Sequence, residues 1–206
     1  HEQDANLAIG KPGRPGSLGH AYSSLVAWGS DRIPTVHSFC MVPGGQIVAS
    51  VAQPGMLCTN GMGNSKNSSA FGNSGIVVTL GPSDFGDGPF AGLEFQERIE
   101  TEFFKAGGSD YSVPAQRVPD FLDGRPSASL PRSSYKLGLR ARRVDQLLPP
   151  AVTEGIRAAI LRFDRQLHGY AGEQGVLVGI ESRSSSPFRM PRDPESRIAK
   201  GFANVY

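Results

Sequence analysis

The sequence predicts an α+β fold in which a mostly antiparallel sheet of about five to six strands packs against two main helices. Short β-branched runs alternate with turns, which the 26 Gly and 16 Pro among 206 residues supply. Two longer segments instead repeat apolar residues at helical spacing. A chain of this length is sufficient for one domain with a sizeable core.

Strands are predicted near residues 36–42, 46–52, 56–59, 75–80 and 175–183. The triplets Pro43-Gly44-Gly45 and Gln53-Pro54-Gly55 are typical of tight turns, so the first three strands are expected to form a meander. In that register a strand separates Cys40 from Cys58, by about 10 Å against the ~7 Å Cα limit of a disulfide. We therefore predict that the two cysteines are not bonded to each other.

Two amphipathic helices are predicted. Phe95, Ile99 and Phe103 recur at every fourth position, which favours a helix over 92–106. The apolar spacing over 151–168, directly after two prolines, favours a second helix. Shorter helical segments are expected at 114–122 and 144–148.

The chain is expected to divide into an irregular arm or linker at residues 1–17 and one domain at residues 18–206. Glycine and proline are concentrated between Gly10 and Gly16, and both break helices and sheet ladders. The polar stretch 60–74 is too long for a routine turn, so it lines a cleft or forms a surface loop.

Composition narrows the class of protein. No run of 18 apolar residues is present, and the first residues do not resemble a secretory signal, so no membrane partner is expected. Two cysteines are too few for a disulfide scaffold and lack the spacing of a zinc site, so we expect a cytoplasmic location and no metal.

The distribution of charge raises an alternative function. Residues 107–206 carry 15 Lys and Arg against 10 Asp and Glu. A free-standing module for nucleic acid or another anionic partner would use Arg140, Arg142, Arg143, Arg157, Arg162 and Arg165. Nucleic acid is the less favoured partner, because aromatic side chains that stack on bases are not interleaved with these arginines.

Candidate nucleophiles are few. Cys40 is a weak candidate for a catalytic residue, because a reactive thiol needs a neighbour that stabilises the thiolate. The simpler interpretation is a small core residue of an apolar strand. His37 is expected on the opposite face of that strand, which excludes a local dyad with Cys40. A hydrolase or transferase that uses Cys40 or Ser185 is a third hypothesis, without a recognisable motif.

Four segments resemble the uncharacterised FAD-dependent dehydrogenases of bacteria and plastids, in the region between the two halves of their flavin-binding domain. They read SFCMVPGGQIV at 38–48, TNGM at 59–62, PAQRVPDFL at 114–122 and GIESRSSSPFR at 179–189. The resemblance implies the substrate-side domain of an FAD-dependent oxidoreductase. Its partners would be the FAD-binding segments of the full-length chain and an unknown small-molecule substrate.

The resemblance also implies cofactor-binding residues, which are Pro43, Gly44, Gly45, Asn60, Gly61, Met62, Ser185, Ser186, Pro187 and Arg189. The alternatives are an ordinary hairpin turn for the first three and solvated loops for the others. The sequence contains no Gly-x-Gly-x-x-Gly turn for a pyrophosphate. Val42 stands where the family often has a second cysteine. FAD is therefore expected in the full-length protein but not tightly bound by this chain, which alone would be inactive.

Overall fold

The computed structural model describes residues 1–4, 24–63, 65–66, 68–183 and 190–206. Within these ranges an eight-stranded, mostly antiparallel sheet packs with five helices. The α+β class is confirmed, with more strands than expected. None of the helices in the described ranges is long and apolar enough to cross a membrane.

The bounds of the elements follow the chain. The strands are β1 (Glu2–Asp4), β2 (Ser24–Ala27), β3 (Val36–Ala49), β4 (Thr59–Met62), β5 (Phe71–Val78), β6 (Val113–Arg117), β7 (Leu139–Ala141) and β8 (Val176–Val178). The helices are α1 (Pro82–Phe85), α2 (Ala91–Ala106), α3 (Val118–Leu122), α4 (Val144–Leu147) and α5 (Pro150–Gln166).

The sheet runs in the order β2-β3-β5-β1-β8-β6-β7, and β4 pairs with β3 outside this path. Among the described pairs only β6 and β7 are parallel. Helix α5 packs across β2, β3 and β5, while α2 packs against β6. The core therefore lies between the sheet and these two helices.

The two long helices confirm the periodicity argument. Helix α2 buries Ile99 and Phe103, and α5 buries Ile156, Ile160 and Phe163. The helix expected at 114–122 is confirmed only in its second part. Its first part is β6, which pairs with β7 and β8, and the helix begins only at Val118, next to a proline that suits a first turn.

The predicted hairpin at residues 43–45 is wrong. Strand β3 runs without interruption from Val36 to Ala49, so the segments 36–42 and 46–52 are one bent strand. Pro43, Gly44 and Gly45 form a bend within the strand instead of a turn between two strands, because β5 pairs with β3 on both sides of Gly44. The third predicted strand lies at Thr59–Met62, and the last is confined to Val176–Val178.

The first residues differ from the expected arm. Glu2–Asp4 form β1, which lies between β5 and β8 in the middle of the sheet. The sequence Glu-Gln-Asp has no pattern that predicts a strand. These residues form one because β5 and β8, which are distant in sequence, pair with them on either side. Cys40 and Cys58 are free thiols, as predicted. The predicted pairing of Cys58 with Ser50 is confirmed, since the N–H of Ser50 donates to the carbonyl of Cys58 at 2.8 Å. The predicted pairing of Cys40 with the segment 46–52 is wrong, because both belong to the continuous strand β3.

Candidate functional site

A bend in β3 brings two of the predicted segments together. Gly44 has a φ of 69°, and the register between β3 and β5 shifts next to it. Glycine adopts this left-handed backbone without a steric penalty. Beyond the bend, Gln46–Ala49 of β3 pair with β4, so residues 43–45 and 60–62 lie around one point of the fold.

Asn73 of β5 lies at this point. Its residue surface is only 1% exposed, and among the described residues neither the oxygen nor the nitrogen of its side-chain amide has a hydrogen-bond partner. Buried polar groups in folded proteins are nearly always paired, since an unpaired one costs about 1–3 kcal/mol. Among the described residues Asn73 is thus a buried polar group without a partner, and such groups are common at binding sites.

Gly45 and Gly61 make room for this amide. The Asn73 nitrogen lies 2.7 Å from the position that a Cβ atom would take at Gly45, and a Cβ atom at Gly61 would overlap the Asn73 oxygen. We call Asn73, Gly45 and Gly61 the Asn73 cluster. Both glycines were predicted as cofactor-binding residues, and the structure shows that their missing side chains admit the Asn73 amide.

Neighbouring polar contacts hold the bend in place. Glu2 lies directly opposite Asn73, and its carboxylate accepts hydrogen bonds from the hydroxyls of Ser133 and Ser134. The Ser134 hydroxyl in turn accepts the N–H of Ile47 at 2.7 Å. These contacts tie β1 to the part of β3 that follows the bend.

A cavity of ≈ 370 Å³ extends from the Asn73 cluster between β5 and the residues around β8. Helices α2 and α5 provide much of its wall through Phe95, Ile99, Val152 and Ile156. Small-molecule pockets are commonly apolar clefts of about 300–1,000 Å³ with a few polar groups. The volume therefore suits one ring system or a short extended segment.

Two carboxyl groups lie near the cavity in different environments. Glu100 of α2 is fully buried and accepts hydrogen bonds from Nε and Nη2 of Arg183 at 2.9 and 2.8 Å. Burial opposes its charge, but the bonds from Arg183 and Ser182 leave the pKa of Glu100 below its usual value. Glu181 lacks such donors among the described residues, and burial raises its pKa.

Cys40 is exposed, so the interpretation of this residue as part of the core is wrong. It has a φ of 49° at an irregularity in the pairing of β3 with β5, which removes it from the regular alternation of the strand. Lost hydration, and then the charge of Glu181, raises the pKa of the Cys40 thiol. A protonated thiol is a poor nucleophile, and this weakens the hydrolase hypothesis.

The remaining predicted residues are placed as follows. Pro43 and Gly44 lie at the bend, and the carbonyl of Gly44 accepts the N–H of Ser69 at 3.1 Å. Asn60 and Met62 belong to β4, with Met62 46% exposed. Ser185, Ser186, Pro187 and Arg189 lie outside the described residues.

The sequence argument missed Asn73 and Glu181. Asn73 lies near the end of the polar stretch 60–74, which was predicted to line a cleft or to form a surface loop. Its burial depends on the bend in β3, so its residue type alone did not identify it. Among the described residues no group of three or more His, Cys, Asp or Glu side chains is arranged to hold a metal ion.

Comparison with known proteins identifies the class of protein. Residues 9–184 match the family described as FAD-dependent protein, C-terminal domain-like. An uncharacterized protein of Clostridium beijerinckii (strain ATCC 51743 / NCIMB 8052) is 39% identical over 178 residues, which cover 84% of this chain and 33% of the relative. The chain thus spans about a third of the length of that relative, and it belongs to this FAD-dependent protein family.

Proposed function

We propose that this chain is the substrate-side domain of an FAD-dependent oxidoreductase, and that the Asn73 cluster faces the flavin ring or the substrate bound next to it. The observation that supports this is the buried amide of Asn73, which has no partner among the described residues and lies at the end of a mostly apolar cavity. It lies where residues 43–45 and 60–62, two segments of the family resemblance, meet.

The described residues fit the ring side of FAD and not its diphosphate. An unpaired carboxamide offers one donor group and one acceptor, which matches the alternating N–H and C=O groups of an isoalloxazine edge. A diphosphate instead requires a helix N-terminus with a glycine-rich turn. Within the sequence no Gly-x-Gly-x-x-Gly turn is present. The diphosphate site is accordingly assigned to other segments of a longer protein.

In this proposal the chain supplies orientation and a dry environment. The bound flavin would supply the capacity to accept or donate a hydride or electrons. Asn73 would fix the angle of a ring or of a substrate carbonyl through its two unpaired atoms. The apolar residues of α2 and α5 would exclude water from that contact. This chain alone is expected to be inactive.

The alternative of an anion-binding module has less support. Arg140 pairs with Asp110 at 2.9 Å, and Arg143 and Arg157 both pair with Asp145. Arginines held by carboxylates have less charge to offer to phosphates. A steep loss of affinity for nucleic acid with added salt would mark this alternative.

The test is a titration of the chain with riboflavin and with FAD, followed by flavin fluorescence and by the backbone amide resonances of Gly61 and Gly75. Both ligands are expected to bind weakly and with similar affinity, because ring contacts alone must offset at least ~4 kcal/mol of lost translational and rotational freedom. Asn73→Ala should abolish the resonance shifts, whereas Gly81→Ala, at a glycine with open space around it, should preserve them.

Two results would contradict the proposal. Submicromolar binding of FAD would show that the chain carries a complete flavin site. Resonance shifts that are absent from the native chain, or unchanged in Asn73→Ala, would remove the Asn73 cluster from the flavin site.

A further inference from the structure

Charged groups are few on the wall of the cavity. In the described part of the chain they are the ammonium of His1, the carboxyl of Glu181 and the guanidinium of Arg183. The charge of Arg183 is matched, because its Nε and Nη2 donate to the carboxylate of Glu100. Within the same ranges no side chain donates a hydrogen bond to Glu181. The carboxyl of Glu181 is therefore the charged group of the wall that a ligand can engage.

The ammonium of His1 is a weak counter-ion for Glu181. It donates to the carbonyl of Ser74 at 3.1 Å. Burial lowers the pKa of the His1 ammonium, although the charges of Glu2 and Glu181 act against this. A terminal amine ordinarily loses its proton near pH 8, so a lowered pKa leaves His1 mainly neutral at that pH.

A glycine leaves room for the Glu181 carboxyl. A Cβ atom at Gly75 would lie 3.3 Å from Oε2 of Glu181, which is closer than an ordinary van der Waals contact. Strand β4 holds the backbone next to Glu181, since the N–H of Thr59 donates to the carbonyl of Ile180 at 2.8 Å. The carboxyl of Glu181 therefore occupies space that a side chain of β5 would otherwise fill.

This position places Glu181 next to Asn73. Residues two apart in a strand direct their side chains to the same face, about 7 Å from each other. Since Glu181 lies at the side-chain position of Gly75, its carboxyl lies on the same face of β5 as the Asn73 amide. Both groups line the cavity, and the 1% exposed side chain of Asn73, without a partner among the described residues, independently indicates a ligand at this end.

The surroundings of Glu181 favour a cation. Burial raises the pKa of Glu181, although the His1 ammonium acts against this, because a carboxylate loses hydration in a mostly apolar cavity. A buried charge is costly unless it is paired. A ligand with a positive charge would offset this cost, whereas an anion would be repelled. Phe95, Ile99 and Ile156 on the other walls suit an apolar body.

We propose that the cavity binds an amine with an apolar body, whose ammonium donates hydrogen bonds to the carboxyl of Glu181 while the body lies against α2 and α5. This inference names the substrate class of the oxidoreductase proposed above, and it rests on that proposal only in calling the amine a substrate. Because Glu181 neighbours the Asn73 cluster, the carbon that bears the amino group would lie next to the group bound at Asn73.

Titration of the chain at pH 8 with benzylamine, benzyl alcohol and benzoate tests this proposal, followed by the backbone amide resonances of Gly75 and Glu181. Benzylamine should bind at least about tenfold tighter than benzyl alcohol, because hydrogen bonds between charged groups are the stronger ones. Benzoate should bind weakest. Glu181→Gln should remove the preference for benzylamine, whereas Glu94→Gln, at an exposed residue of α2 outside the cavity wall, should retain it.

Three results would overturn the proposal. Benzylamine that fails to bind, or binds no tighter than benzyl alcohol, would show that Glu181 does not recognise an ammonium. Tighter binding of benzoate would assign the cavity to an anion and to Arg183. An undiminished preference for benzylamine in Glu181→Gln would place the ammonium elsewhere.

The two proposals fail separately, because none of these probes contains a flavin. Riboflavin shifts together with any of the three results above would contradict the amine inference alone. A preference for benzylamine that depends on Glu181, without riboflavin shifts, would support the amine site and contradict the flavin proposal alone.

Discussion

The side-chain nitrogen of Asn73 lies 2.7 Å from the position that a Cβ atom would occupy at Gly45. The absence of a side chain at one residue thus determines where the amide of the other is placed. The missing side chain of Gly61 likewise leaves the space that the Asn73 side-chain oxygen occupies. The Asn73 cluster is therefore a packing unit as well as a polar site, and its two properties can be separated by substitution.

Gly61→Ala is expected to destabilise the chain by about 1–3 kcal/mol, because the new methyl group overlaps the Asn73 amide. The double variant with Asn73→Ala should recover most of this loss. Urea unfolding measures both, with Gly81→Ala as the control in open space. Equal losses in the single and double variants would show that the strain lies elsewhere.

Asn73→Ala alone is expected to leave stability unchanged within about 1 kcal/mol or to raise it, because it removes a buried amide that has no partner in the described part of the chain. Ser134→Ala is the matched comparison, since it removes a hydroxyl that bonds both Glu2 and Ile47. It should destabilise the chain by about 1–3 kcal/mol. A large loss of stability in Asn73→Ala would show that the Asn73 amide has a hydrogen-bond partner.

Asp145 should make the chain sensitive to acid. Burial opposes its charge, but the hydrogen bonds from Arg143 leave the pKa of Asp145 below its usual value. A lowered folded pKa stabilises the chain above the unfolded pKa of about 3.9, and the contribution is lost as the pH falls towards the folded pKa. Asp145→Asn should destabilise at pH 7 and flatten stability measured between pH 6 and pH 3. An unchanged profile would contradict the assignment.

Tyr170 should remain un-ionised in strongly alkaline solution. Its ring is fully buried, its hydroxyl lies 3.0 Å from Ser38 Oγ and 2.9 Å from Ser74 Oγ, and burial raises the pKa of Tyr170 to about 12. An acid whose folded pKa is raised stabilises the neutral folded state below its unfolded pKa of about 10, and this is lost as the pH rises. Absorbance near 295 nm should show a tyrosine ionisation step at about pH 12, and Tyr170→Phe should remove that step.

The two thiols should differ in reactivity. Cys40 is exposed and Cys58 is 2% exposed. Ellman's reagent should modify one thiol in the native chain and both in urea, and Cys40→Ser should abolish the native reaction. Because its pKa is raised, Cys40 should react more slowly than a free thiol at pH 7. Faster modification than a free thiol would instead support the hypothesis of a catalytic cysteine.

Local patterns in the sequence predicted the parts of the fold that local physics determines. The spacing of Ile99 and Phe103 in α2 identifies a helix with one apolar face, and that face is buried. The bend at Gly44 was predicted as a turn, since its residue types suit either and only pairing with β5 decides between them. The burial of Asn73 depends on that bend, so a local pattern did not predict it.

The bend in β3 also has a consequence for cooperativity. One strand pairs with β2 and β5 in its first part and with β4 in its second part, so the β4 hairpin shares its backbone with the central sheet. The hairpin consists of Gln46–Ala49 of β3 and Thr59–Met62 of β4. If it opens at Gln46, the adjoining part of β3 loses a neighbour, and this part includes Val42, which pairs with Asn73 of β5. The hairpin and the neighbouring half of the sheet should therefore unfold as one foldon, with amides of β4 and β5 sharing a common opening free energy in native-state exchange.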